Sequence, residues 1–143
     1  MNLVRGFVAV TVGLAITLVF VQLLESTLAT ALAGHPLRSL DEYAVVLNTP
    51  PLLVVRFLFT TLVSLLGGYA CAKIAAHDEV RYTAIAAIFR AILLIWAAVA
   101  GQLPATPIWM FVPLLLVSTL AMLGGAVVRT AAASIRAKEE GHT

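Results

Sequence analysis

Residues 6–34 read GFVAVTVGLAITLVFVQLLESTLATALAG, an apolar stretch whose single charged residue is Glu25. About 20 apolar residues, each adding about 1.5 Å of rise, let a helix cross the hydrocarbon core of a bilayer. Three further stretches of this kind follow at residues 51–76, 82–101 and 107–128. The sequence therefore predicts an all-α polytopic membrane protein with four transmembrane helices.

The composition supports the same class of protein. The chain is 62% hydrophobic and 11% charged, with a mean hydropathy of +1.04, whereas soluble domains carry about 25% charged residues. This excludes an ordinary soluble domain, and it excludes disorder, which combines low hydrophobicity with high charge. We expect a single domain over residues 1–143. The net charge of +2 comes with no basic cluster long enough to follow a phosphate backbone, so we expect no nucleic-acid partner.

The first apolar stretch differs in length from a signal peptide. Its uninterrupted core, residues 6–24, has 19 residues, whereas the apolar region of a signal peptide has about 7–15. We therefore expect it to be retained as the first membrane span.

The basic residues predict the orientation of the spans. Six of the nine Lys and Arg residues lie before the first span, at the flanks of the second loop or after the fourth span: Arg5, Lys73, Arg81, Arg129, Arg136 and Lys138. The outer loop at residues 35–50 has only Arg38, and the third loop at 102–106 has none. The positive-inside rule therefore places both termini, with the tail at 129–143, in the cytoplasm. The preference for Arg over Lys and the abundant Ala, Leu and Val favour a bacterial inner membrane.

Two segments outside the spans are predicted to be helical. Ser39 and Glu42 have the spacing of a capping box, which predicts a short helix from Leu40 to about Leu47. In the tail, good helix formers predict that the fourth helix continues to Lys138 and stops at Gly141.

Small and polar residues mark the faces on which the spans are expected to pack, because lipid provides no hydrophobic drive for helix association. The second span has Arg56, Thr60, Ser64, Gly67, Gly68, Cys71 and Ala72 at intervals of three or four residues. Similar stripes are Thr11, Ala15, Gln22, Glu25, Ser26 and Ala29 in the first span, Thr83, Ala87, Arg90, Ala97 and Gly101 in the third, and Ser118, Ala121, Gly125 and Arg129 in the fourth. We expect Ser64, Gly67, Gly68, Gly124 and Gly125 to be helix-packing residues in an up-and-down four-helix bundle.

Two of the three intramembrane charges lie at matching depth. Glu25 is 20 residues beyond Arg5 and Arg56 is 17 residues before Lys73, which puts both about 25–30 Å from the cytoplasmic side. A salt bridge between neighbouring helices is one interpretation. The alternative is that each side chain extends separately to the outer headgroups.

Arg90 has no carboxylate at its own depth. It lies nine residues beyond Arg81, about 13–14 Å into the membrane. Three interpretations stay open. The side chain extends to the surface or bonds backbone carbonyls, it meets a lipid or another subunit, or it lines a pathway for an anion or water.

The sequence contains no motif of a known chemistry. Nucleotide-binding, zinc-protease and nucleophile-elbow motifs are missing, and His35, His77 and His142 lie outside the spans. The single cysteine, Cys71, lies within the second span and is expected to act as a small apolar side chain. We therefore expect no catalytic, cofactor-binding or metal-ligating residues, and no enzyme.

Two functions fit this pattern. The first is a non-enzymatic packing role, as a homo-oligomer or as an accessory subunit of a membrane complex. The second is a small channel or transporter in which Glu25, Arg56 and Arg90 line an oligomeric pathway. The expected partners are the lipid bilayer and copies of this chain or other membrane subunits, with an anionic lipid as a further candidate.

Overall fold

The computed structural model describes residues 2–37, 39–100 and 106–140, and all of its regular secondary structure is helical. The helices are α1 (Asn2–Ala33), α2 (Leu40–Leu47), α3 (Pro50–Ala75), α4 (Glu79–Val99) and α5 (Ile108–Glu140). The predictions that concern Arg38, Gly101, most of the third loop, His142 and the stop at Gly141 lie outside the described residues.

The four long helices confirm the predicted membrane spans. The segments that are long and apolar enough to cross a bilayer are Leu3–Ala33, Pro50–Ala75, Glu79–Val99 and Ile108–Arg136. The third begins three residues before the predicted boundary at 82, and the fourth helix continues without a break into the tail, as expected. The chain thus has the architecture of a multi-pass membrane protein.

The outer surface of the long helices is apolar. Phe7, Leu62 and Leu120 are 73%, 63% and 64% exposed, and similar side chains surround them. A continuous apolar surface of this kind would drive aggregation in water. Against lipid tails it needs no protein cover, so the burial pattern agrees with a membrane location.

Helix α3 is the centre of the bundle. In its most apolar window 44% of the residues are buried, against 17–22% in the other three spans. It packs against α1, α4 and α5, whereas α1 and α5 make no contact with each other in the described part of the chain. Helices α1 and α5 therefore pack on different sides of α3, and α4 contacts all three.

Adjacent glycines let α3 approach two neighbours at once. A Cβ on Gly67 would overlap the Thr17 hydroxyl of α1, and a Cβ on Gly68 would overlap the Met122 backbone of α5. Gly125 fits against the α3 backbone in return. The prediction for Gly124 is wrong, because a Cβ there meets nothing within 4 Å. Successive residues of a helix project about 100° apart. Gly124 and Gly125 therefore cannot both face α3.

The packing face of α1 also differs from the predicted stripe. Thr11 and Ala15 are exposed, while Gly6, Ala9, Gly13 and Thr17 are buried at the same helical spacing. The Thr11 hydroxyl donates to the Phe7 carbonyl oxygen of its own helix at 2.9 Å. A hydroxyl that is satisfied in this way can face lipid, so it is a weak indicator of a protein contact.

Helix α2 marks one end of the bundle, which we call the α2 end. Ser39 caps α2 by accepting a hydrogen bond from the Glu42 backbone N–H at 3.2 Å, which confirms the predicted cap. Leu47 anchors α2 to the bundle with 1% of its surface exposed. At the opposite, distal end, Arg5 Nε donates to the Ile74 carbonyl oxygen at 2.7 Å, so α1 and α3 are antiparallel.

The neighbouring glycines of α5 provide a matched test of this packing. Gly125→Ala places a methyl group against the α3 backbone and should lower the free energy of unfolding by about 1–3 kcal/mol. Gly124→Ala meets open space and should raise it by up to about 1 kcal/mol, through helix propensity. Unfolding of both variants in mixed detergent micelles measures the difference. Equal effects of the two changes would contradict the glycine contact.

Candidate functional site

A row of buried polar side chains follows one face of α3. Arg56, Thr60 and Ser64 are spaced by four residues and are 5%, 3% and 0% exposed. Residues at this spacing lie one turn apart on the same side of a helix. All three point into the bundle, where each polar group needs a partner because lipid supplies none.

At the α2 end, Arg56 forms the ion pair that the matched depths had suggested. Its Nε donates to Glu25 Oε1 at 2.6 Å, and Glu25 is 6% exposed. Its Nη1 donates to the Thr106 hydroxyl at 3.0 Å. The pair thus joins α1 to α3, and Thr106 brings the segment before α5 to the same point.

The hydroxyl of Tyr43, on α2, lies near this ion pair. It is buried and has no hydrogen-bond partner in the described part of the chain. Burial, followed by the negative charge of Glu25, raises the pKa of Tyr43 to about 12. Tyr43 is therefore neutral at physiological pH, and it contributes an apolar ring to the packing of α2.

Arg90 is buried without a counter-ion. It is 4% exposed, and none of the described carboxylates pairs with it. Its Nη1 donates to the Ser64 hydroxyl at 2.8 Å, and that hydroxyl donates to the Thr60 carbonyl oxygen. The guanidinium is therefore directed into the bundle, and not toward a membrane surface as the first interpretation proposed.

A cavity of about 280 Å³ separates Arg90 from the Glu25–Arg56 pair and is lined by all four long helices. Its other polar lining residues are Thr17, Gln22, Thr60 and Ser118. Two buried polar groups of the lining residues, Arg90 Nε and Thr60 Oγ1, have no hydrogen-bond partner among the residues that the structure describes. Two arginines and one glutamate leave the lining with a formal charge of +1.

This arrangement suits the binding of an anion. A carboxylate or phosphate accepts charge-assisted hydrogen bonds from a guanidinium, and hydroxyl groups can add to them. No group of three potential metal-ligating side chains occurs among the described residues. Comparison of the chain with protein-family models, curated proteins and solved structures finds no match.

The sequence patterns above do not predict the contact between Ser64 and Arg90, although the two residues lie at matching depths in the membrane. Ser64 lies nine residues before Lys73, and Arg90 lies nine residues after Arg81. Neighbouring antiparallel helices bring such positions to the same height. The sequence pattern predicts Ser64 only as a helix-packing residue, because its hydroxyl carries no charge that could balance Arg90.

A double-mutant cycle tests the ion pair. Glu25→Gln and Arg56→Gln should each lower the free energy of unfolding, because each leaves one buried charge without its partner. The double variant should lose less than the sum, with a coupling energy of about 0.5–3 kcal/mol. Unfolding in mixed micelles gives all four values, and additive losses would argue against the pair.

The Tyr43 hydroxyl predicts an alkaline sensitivity. Its pKa is raised to about 12 in the folded protein, whereas in the unfolded chain it is about 10. Its contribution to stability is therefore complete below about pH 10 and is lost as the pH rises toward 12. Tyr43→Phe should be at least as stable at pH 8, since the hydroxyl is buried without a partner.

Thermal unfolding of both proteins from pH 8 to 12 measures this effect, with Tyr69 and Tyr82 present in both as an internal control. Wild type should lose stability relative to Tyr43→Phe only in the alkaline range. Parallel losses would show that Tyr43 is not the group that titrates.

Proposed function

We propose that this chain is a small membrane transporter that binds an anionic group at Arg90, inside its own helix bundle. The observation that carries the proposal is the buried, unpaired guanidinium facing a cavity. The proposal keeps the charged residues Glu25, Arg56 and Arg90 of the channel or transporter hypothesis that the sequence suggested. It differs in placing all three around a cavity within one chain, where that hypothesis assumed an oligomeric pathway.

The energetics support a role for Arg90 in ligand binding. An arginine at the centre of a membrane helix costs about 2.5–3.5 kcal/mol on insertion scales. The Ser64 hydroxyl accepts one hydrogen bond but carries no charge. Arg56, in contrast, has Glu25 as a counter-ion in the same chain. An anionic ligand would supply Arg90 with the missing charge.

The proposed orientation has both termini in the cytoplasm of a bacterium and the α2 end outside. Basic residues are concentrated at the distal end and in the tail, where Arg5, Lys73, Arg81 and Arg129 lie close to the ends of the spans. This distribution follows the positive-inside rule. The cavity would then lie in the outer half of an inner membrane, and the helices would run up and down in turn.

The second candidate is the packing role, as a homo-oligomer or an accessory subunit that is not an enzyme. The same unpaired charge favours it, because an acidic side chain from another membrane subunit could pair with Arg90 as well as a ligand could. Native mass spectrometry distinguishes the candidates. A fixed complement of co-purifying subunits supports the packing role, and a chain that carries only small anions or lipid supports the transporter.

Replacing Arg90 provides a direct test of the first candidate. Arg90→Leu should raise the thermal stability, because it removes an unpaired buried charge. The same change should reduce the uptake of anions into proteoliposomes about tenfold or more, whereas Arg90→Lys should keep part of it. Arg136→Leu, in the exposed tail, is the matched control and should leave uptake unchanged.

The panel of solutes is phosphate, sulfate, acetate and succinate, with chloride as a small reference ion. A large loss of stability in Arg90→Leu would assign Arg90 a structural role. Unchanged uptake in a folded Arg90→Leu protein would contradict the proposed function.

A further inference from the structure

We infer that the cavity at Arg90 opens sideways into the bilayer between α1 and α4, and that its ligand is an anionic amphiphile. The charged head, a phosphate or a carboxylate, contacts the guanidinium while the apolar tail stays among the lipid chains. This inference rests on the proposed function and names the class of its substrate. It follows from where the walls of the cavity are closed and where they are open.

The cavity is closed toward the α2 end. The Glu25–Arg56 ion pair lies across it, and Arg56 also holds Thr106 at 3.0 Å. Beyond this pair, α2 packs on α1 and α3, with Leu47 1% exposed. A ligand that came directly from the water at this end would have to break the buried ion pair.

Toward the distal end, the cavity is closed by close helix packing. A Cβ on Gly67 would overlap Thr17, and one on Gly68 would overlap the backbone of Met122. Below these contacts lies a buried cluster that includes Ala9, Cys71 and Ala86, each 0% exposed. Around α3 the distal half of the bundle is therefore closely packed, and the cavity that lies there between α1 and α4 is lined almost entirely by apolar residues.

The remaining side, between α1 and α4, is open. The lining residues on α3 and α5 are buried except for the half-buried Leu114, with Thr60 3% and Ser118 1% exposed, whereas Leu93 and Trp96 on α4 are 42% and 59% exposed. On α1, Leu18 is 39% exposed. The last buried residue of α4 is Arg90, and in the segment from 91 to 99 only Ala91, Leu94 and Ala97 are half-buried while the other residues are exposed.

The chemistry of the opening matches an amphiphile. Polar groups converge at the inner wall, where Arg90 Nε and Thr60 Oγ1 lack hydrogen-bond partners within residues 2–37, 39–100 and 106–140. The exposed lining residues are Leu18, Gln22, Leu93 and Trp96, of which three are apolar. A cavity of about 280 Å³ lies just below the usual range for small-molecule sites, about 300–1,000 Å³. It therefore accommodates a head group, while a tail of any length extends outside.

Binding to the purified full-length protein in a neutral detergent tests the inference. The probes are dodecyl phosphate and laurate, their head groups alone as inorganic phosphate and acetate, and the uncharged dodecanol. We expect at least one of the two charged amphiphiles to raise the melting temperature with an affinity about tenfold or more above that of its free head group. Dodecanol should have no effect, and Arg90→Leu should abolish the shift.

A pair of tryptophan substitutions locates the opening. Ala97 lines the cavity on α4, and its neighbour Ala98 is exposed and does not line it. Ala97→Trp should weaken the binding of the charged amphiphile about tenfold, by narrowing the space between α1 and α4. Ala98→Trp, the control, adds the same ring on the lipid side and should leave binding unchanged.

The outcomes distinguish the lateral opening from the anion site at Arg90. Amphiphile binding that requires both Arg90 and an unobstructed Ala97 supports the lateral opening. If inorganic phosphate or acetate binds as tightly as its amphiphile, and Ala97→Trp has no effect, the lateral opening is wrong while the anion site stands. If no probe binds, or if binding persists in Arg90→Leu, both the inference and the proposed function fail.

Discussion

Close backbone contact at Gly67 and Gly68 holds α1 and α5 against two sides of α3, and the rest of the bundle depends on this approach. In lipid, helices are held together by packing and hydrogen bonds. The absence of a side chain at Gly67 and Gly68 allows the helix backbones to come this close. The contacts lie in the distal half, where Ala9 and Ala86 add further small side chains. Toward the α2 end the four long helices surround the cavity, and buried polar residues such as Thr60 and Arg90 line it.

The two buried arginines have different roles because of what each one faces. Arg56 meets a carboxylate of α1 and a hydroxyl of the segment before α5, so its charge is used to join elements of the chain. Among the described side chains, Arg90 donates a hydrogen bond only to the Ser64 hydroxyl. A buried pair can balance its own desolvation, whereas a single buried charge cannot. This asymmetry separates a structural arginine from one that is available to a ligand.

Much of the fold could be predicted because hydropathy, helix caps and depth are local or additive properties. The four spans, the cap at Ser39 and the depth match of Glu25 with Arg56 all follow from counting residues. Facing directions were harder to predict. Thr11 satisfies its hydroxyl on its own helix and Gly124 faces open space, so neither polarity nor small size alone identifies a contact. The cavity depends on how far the helices separate, which no local pattern in the sequence encodes.

The same geometry limits how a bound anion could cross the membrane. A continuous aqueous path through one chain would have to pass Gly67 and Gly68, where the helix backbones are in contact. Movement of the ligand therefore requires a movement of helices. The segment of α4 beyond Arg90 can move with the smallest loss of packing, because none of its described residues is buried. A displacement of this segment would change the width of the opening next to Arg90 and leave the packing of α1, α3 and α5 intact. In the proposed transporter, the α4 segment would thus couple access from the bilayer to the position of the unpaired charge.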